Sequence, residues 1–150
     1  MATNNAIILS ADPKGHFIEG KLAAGSTPLP GQVLVLLNTG EYQAWAGLAD
    51  GNHDEVVVVL PDSLQGKTVT EAYGDGDHFF GYIPVPGDEL NMLFETNVGV
   101  ADDVAVADRM IVKIGGNLIV GAGTEQMLPF KALEAVNNAT VNTLIAVRRT

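Results

Sequence analysis

The chain predicts an all-β fold, a single barrel-like or sandwich domain of short strands preceded by an extended N-terminal arm. Three observations carry that prediction. Short apolar or alternating runs recur along the chain. Turn residues punctuate them at close intervals, which favours a barrel or sandwich over an α/β fold. Finally, there is almost no sustained helical periodicity.

The runs come in order. Residues 1 to 15 hold a greasy patch, Ala6-Ile7-Ile8-Leu9, followed by SADPKG. That segment reads either as an arm that docks elsewhere or as an ordinary edge strand. HFIEGKLA (16–23) alternates, with Phe17, Glu19 and Lys21 on one face and His16, Ile18 and Leu22 on the other. QVLVLLN (32–38), EVVVVLP (55–61), HFFGYI (78–83), ELNMLF (89–94), RMIVKI (109–114), NLIV (117–120), FKALEAV (130–136) and TLIAVRR (143–149) follow. Between them lie TPLPGQ, NTGE, LADGNHDE, YGDGD, VPGDE, IGGN and VGAGTE. These stretches supply Gly where positive φ is wanted and Asp or Asn where a side chain can cap a turn. IGGN between two apolar runs reads as a tight hairpin. NVGVADDVAVAD (97–108) reads as a loop between two sub-sheets. Helix is limited to one or two turns: Pro129 interrupts TEQMLPFKALEAVNN, and PDSLQGKTVTEAY offers one turn after Pro61.

Composition narrows the function. The 150 residues are most simply one domain, with residues 1–15 as the arm and 16–150 as the β-rich body. Hydrophobic residues make up 47% and charged ones 17%, which excludes a disordered chain. No apolar run approaches the ~20 residues of a membrane-spanning helix, and MATNNAIILS lacks the basic start of a signal peptide. With no cysteine there are no disulfides or thiolate metal sites. Net charge is −10, unevenly placed: residues 50–103 hold twelve acids against Lys67, whereas residues 104–150 hold three acids against five bases. Such an acidic surface disfavours nucleic acid as a partner.

GDGDHFFGYIPVPGDELNMLF (74–94) is the stretch most suggestive of chemistry. Asp75, Asp77, His78, Asp88 and Glu89 are the residue types of a metal site or a carboxylate acid/base pair. An EF-hand loop starting at Asp75 fails, because its fifth position is Phe79 and its twelfth Pro86. The three histidines, His16, His53 and His78, are scattered without zinc-ligand spacing. A dyad needs carboxylates converging in a cleft, yet these acids sit beside Gly, Pro or Asn, as turn acids do. GxSxG, P-loop and GxGxxG signatures are missing. The Asn138-Ala139-Thr140 sequon matters only in a glycosylating pathway. No catalytic residue, metal ligand or cofactor is therefore assigned. Tyr42, Trp45, Phe79, Phe80 and Tyr82 offer an alternative, a sugar-stacking platform, though aromatics in a β-domain of this size more often fill the core.

The order of segments resembles that of the small capsid decoration (cement) proteins of tailed bacteriophages. HFIEGKLAAGSTPLPGQVLVLLNTGEYQAWAGLADG looks like their N-terminal half, with a strand, an Ala-rich link and a PG turn. LPDSLQGKTVTEAYGDGDHFFGYIPVPGDELNMLF and FKALEAVNNATVNTLIAVRRT resemble their middle and closing segments. The resemblance covers roughly residues 16–149; these motifs are structural. It implies a non-enzymatic virion protein, made in the bacterial host cytoplasm. Such a protein binds the major capsid protein on the outer surface after expansion, as a homotrimer or sometimes a dimer. Gly74, Gly76, Gly81 and Gly87 would then set turns and close approaches, and Asp77 and Asp88 would be soluble turn acids. Ile7, Ile8 and Leu9 are assigned to capsid docking by strand addition. Phe80, Tyr82 and Leu93 are assigned to self-association. Arg148 and Arg149 would pair with a neighbour's acids or keep an edge soluble. The rival readings are a carbohydrate-binding or adhesive β-module, a small hydrolase using two of the acids above, and a tail or baseplate component.

Overall fold

In the computed structural model, described for residues 6–45, 56–95, 102–113, 115–120, 130–139 and 142–150, the chain is built from strands. They are β1 His16–Lys21, β2 Val33–Leu36, β3 Tyr42–Ala44, β4 Val57–Val59, β5 His78–Ile83, β6 Glu89–Phe94, β7 Asp102–Val104, β8 Arg109–Val112, β9 Leu118–Val120, β10 Phe130–Ala132, β11 Val136–Ala139 and β12 Thr143–Arg149. One 3-10 turn, Ser63–Gln65, follows Pro61, where Asp62 accepts from the Gln65 N–H and Gly66 ends the turn in the left-handed region. Among the described residues no helix is long and apolar enough to cross a membrane.

Two sheets dominate. The first has the order β1-β5-β4-β2-β3, with antiparallel neighbours. The second is a closed barrel, β10-β12-β6-β9-β8, antiparallel except where β6 meets β9 at Phe94 and Leu118. β7 and β11 form a separate pair. Val33, Leu34, Val35 and Val57 to Val59 are all buried, so β2 and β4 are covered on both faces. That is why their sequences read as unbroken apolar runs rather than alternating ones. One face packs Leu34, Val57, Val59 and Phe79 with Leu22 and Tyr73. The other joins Val33, Val35, Val58 and Tyr82 to the barrel's Leu90, Met92, Phe94, Met110, Leu118, Phe130, Ile145 and Val147. Sheet and barrel thus share one core.

Main-chain bonds fasten the two together. Leu93 donates to the Gly31 carbonyl at 3.0 Å, Val33 to Gly116 at 2.8 Å and Gly115 to Trp45 at 2.8 Å. Gly116 has φ +92°, and a Cβ there would lie 2.6 Å from the Val33 carbonyl oxygen, so only glycine allows that approach.

The N-terminal segment lies against its own barrel. Ile8 pairs antiparallel with Leu90. Leu9 and Ser10 donate to the Glu89 carbonyl, and Asn91 donates to that of Ile7. Residues 7–9 therefore cover the part of β6 that β9 leaves unpaired, and Ile7, 2% exposed, enters the shared core. Residues 1–5 lie outside the described part.

Three local readings differ from the structure. β3 was not among the expected strands. β7 lies inside 97–108, read as a loop. FKALEAV is not one strand: β10 ends at Ala132, whose carbonyl accepts from Ala107 while Leu133 donates to Ala146, and β11 starts at Val136. The ends of EVVVVLP and RMIVKI that reach residues 55 and 114 lie outside the described residues.

Candidate functional site

Each acid of the 74–94 stretch has its own partner. Asp75 accepts from the Gly25 N–H at 2.6 Å and Asp77 from the Gly74 N–H at 2.9 Å. His78 Nδ1 lies 3.6 Å from Glu19, and the Glu89 carboxylate takes the Arg148 guanidinium at 2.7 Å. The Glu89 contact lies on the barrel and the other three at the start of β5. Among the described residues no three His, Asp or Glu side chains group as metal ligands.

Asp88 corrects the sequence reading. It is 3% exposed, not a solvated turn acid. Its Oδ1 accepts from the Lys14 N–H at 3.0 Å; its Oδ2 accepts from the Tyr82 hydroxyl at 2.7 Å and from the Gly15 and Val85 N–H groups, each at 3.1 Å. Burial opposes its charge, but these four donors outweigh it and hold the carboxyl below the usual range. Burial and the Asp88 bond push the Tyr82 hydroxyl up to about 12. That hydroxyl also accepts from Gly15 at 2.7 Å. The main chain of Asp88 closes the hub, its carbonyl accepting from Arg149 at 2.8 Å. Asp88, through its carboxylate and its main chain, therefore ties the N-terminal segment, β5 and the end of β12 to the start of β6. Two of its four donors are 73 and 74 residues away in sequence, so no local pattern marks the burial.

Burial also decides among the assigned interaction residues. Tyr82 is fully buried and hydrogen-bonded within the chain, so in this fold it offers no surface for self-association; Phe80 and Leu93 are half-buried. Ile7 is in the core, and Ile8 and Leu9 are half-buried against β6. The aromatic set is similarly placed: Phe79 is fully buried and Trp45 6% exposed, with Tyr42 and Phe80 half-buried. A cleft of about 460 Å³ opens beside Trp45, lined by Ser26, Thr27, Gln32 and Gln43, with no titratable side chain in its wall.

The open edge of the first sheet is the feature that sequence reading missed. Leu22 donates to Asp77, and Leu60 to Phe80. With the β1–β5 register, this puts the backbone groups of His16, Ile18 and Gly20 toward β5. By alternation the N–H and C=O groups of Phe17 and Glu19 point away from the sheet, and no strand pairs with them there among the described residues. Only the far end is closed, where Leu22 bridges Tyr42 and Ala23 donates to the Tyr42 carbonyl. On the same strand Phe17 is 65% exposed, its ring 5.1 Å from that of Tyr82. HFIEGKLA did show Phe17 on the face with Glu19 and Lys21. That apolar residue on a charged face was the available signal.

No family model matches the chain, and no curated protein matches it.

Proposed function

We propose that this chain is a non-catalytic structural protein that binds the outer surface of a tailed-phage capsid and bridges major capsid proteins, as a homotrimer or dimer. The observation that carries this reading is the open β1 edge with Phe17 beside it. An extended segment of a shell protein adding there gains main-chain hydrogen bonds, and Phe17 supplies an apolar anchor worth about 1.5–3 kcal/mol if fully covered. Each such contact is modest, and an oligomer on a repeating shell multiplies it. Residues 7–9 have their backbone engaged by β6, so β1 replaces them in this proposal as the docking strand. The resemblance of residues 16–149 to decoration proteins supports the class of partner, and the wiring of the acids supports a structural use for them.

Co-sedimentation with expanded and unexpanded capsids of the virus that encodes the chain tests this. Wild type is expected to be retained on expanded shells. Glu19→Pro removes an outward N–H without touching the β5 ladder and is expected to weaken retention about tenfold, the equivalent of about 1.4 kcal/mol. Equal retention of the proline variant would move docking off β1; no retention of wild type would reject the capsid reading.

A further inference from the structure

The outer face of the barrel carries a second feature, independent of the β1 edge. Arg109 of β8 lies directly opposite Lys131 of β10, and Lys131 lies directly opposite Arg148 of β12. The row ends at Glu89 of β6, opposite Arg148. All three cations are exposed. Strands are about 4.8 Å apart, so the row spans about 10 Å.

This placement is unusual for the chain that contains it. The protein has only eight Lys and Arg residues against eighteen acids, yet three of the eight stand side by side across one sheet. Like charges directly opposite on neighbouring strands repel. Only Arg148 is relieved, by Glu89 at 2.7 Å. Among the described residues neither Arg109 nor Lys131 has an ion-pair partner, although acids outnumber bases more than twofold. A purely solubilising surface would intersperse the two signs.

We propose that the Arg109-Lys131-Arg148 row is a docking face for the acidic part of a second copy of this chain. The complement is present in the same molecule: among the acids of residues 56–95, Asp62 and Asp88 are buried, Glu89 ends this row and Glu95 pairs with Lys113, which leaves the exposed acids of one loop as a cluster. Exposed Glu71, Asp75 and Asp77 project from the loop that precedes β5, on the five-stranded sheet rather than the barrel. Donor and acceptor faces are different surfaces, so the contact is head-to-tail, and a head-to-tail contact whose rotation closes makes a ring. Opposite charges on the two faces orient the encounter despite the net repulsion of two acidic chains. The inference holds whether or not the chain binds a capsid.

Analytical ultracentrifugation of the purified protein tests it. Wild type is expected to sediment as a closed oligomer at low salt and as a monomer near 1 M, where the Debye length falls to about 3 Å. The double variant Arg109→Gln, Lys131→Gln is expected to be monomeric at both. At 1 M salt, where both proteins are monomeric, its melting temperature is expected to equal that of wild type; a merely structural role would lower it. A monomeric wild type at low salt would overturn the proposal, as would a double variant that still assembles. A polyglutamate probe separates the remaining occupant: its capture by a wild type that stays monomeric would assign the row to a different acidic protein and reject the second copy.

Discussion

The two sheets share a core but finish their edges differently. In the barrel every described strand has neighbours on both sides, and the one gap along β6 is filled by residues 7–9. In the five-stranded sheet β5, β4 and β2 are covered on both sides while β1 leaves the backbone of Phe17 and Glu19 unpaired. An unpaired edge invites another strand, and proteins that do not use one usually blunt it with charge. Glu19 and Lys21 do so here, but Phe17 beside them is the opposite of protection. On the proposed function, the difference separates a scaffold, the barrel with its N-terminal seam, from the open edge at which a shell segment would add.

Breaking the barrel side is expected to cost most. Phe130→Ala removes a fully buried ring from the shared core and should lose about 3–5 kcal/mol in denaturant unfolding. Deleting residues 1–15 removes Ile7, the β6 seam and two donors to Asp88, and should lose at least about 3 kcal/mol. A truncated protein as stable as wild type would mean the seam contributes nothing.

Asp88→Ala comes next, at about 2–3 kcal/mol, because it leaves the Tyr82 hydroxyl and several N–H groups without their acceptor. The same hub sets a pH window. Asp88 titrates lower folded than unfolded, so its contribution is present above the ordinary aspartate value of 3.8 and is lost as pH falls through the folded value. Tyr82 titrates higher folded, at about 12 against 10, so its contribution is complete below 10 and is lost as pH rises toward 12. Stability should therefore be flat between these limits. Asp88→Ala should shrink the acid limb of the profile, leaving the part due to Glu95 and Glu71, which are also held below the ordinary glutamate value.

The open edge should be the tolerant side. Ile18→Pro removes a bond to β5 and should cost about 3 kcal/mol, whereas Glu19→Pro one residue later should cost under about 1 kcal/mol. Phe17→Ser should change stability by no more than about 0.5 kcal/mol, since the ring is mostly in solvent. Equal costs at residues 18 and 19 would show that β1 is not an edge of the kind described.

These same regions explain how far the sequence could be read. HFFGYI, ELNMLF and TLIAVRR gave strands with the bounds seen in β5, β6 and β12, because turn residues frame each run. Tyr42–Ala44 and Asp102–Val104 were illegible: three residues of mixed polarity become strands only because a neighbour supplies the pairing. Asp88 looked like any acid after a glycine, and its burial depends on a segment more than seventy residues away. Whether Phe17 is covered is likewise a property of topology, since β1 becomes an edge only once β5 lies between it and β4.

Site-resolved amide hydrogen exchange along β1 tests the central claim most directly. In the free protein the amides of Phe17 and Glu19 should exchange rapidly while those of Ile18 and Gly20 are protected by β5. On expanded capsids Phe17 and Glu19 should become protected as well. Phe17 and Glu19 amides that exchange as fast on the shell as in solution would contradict strand addition at this edge.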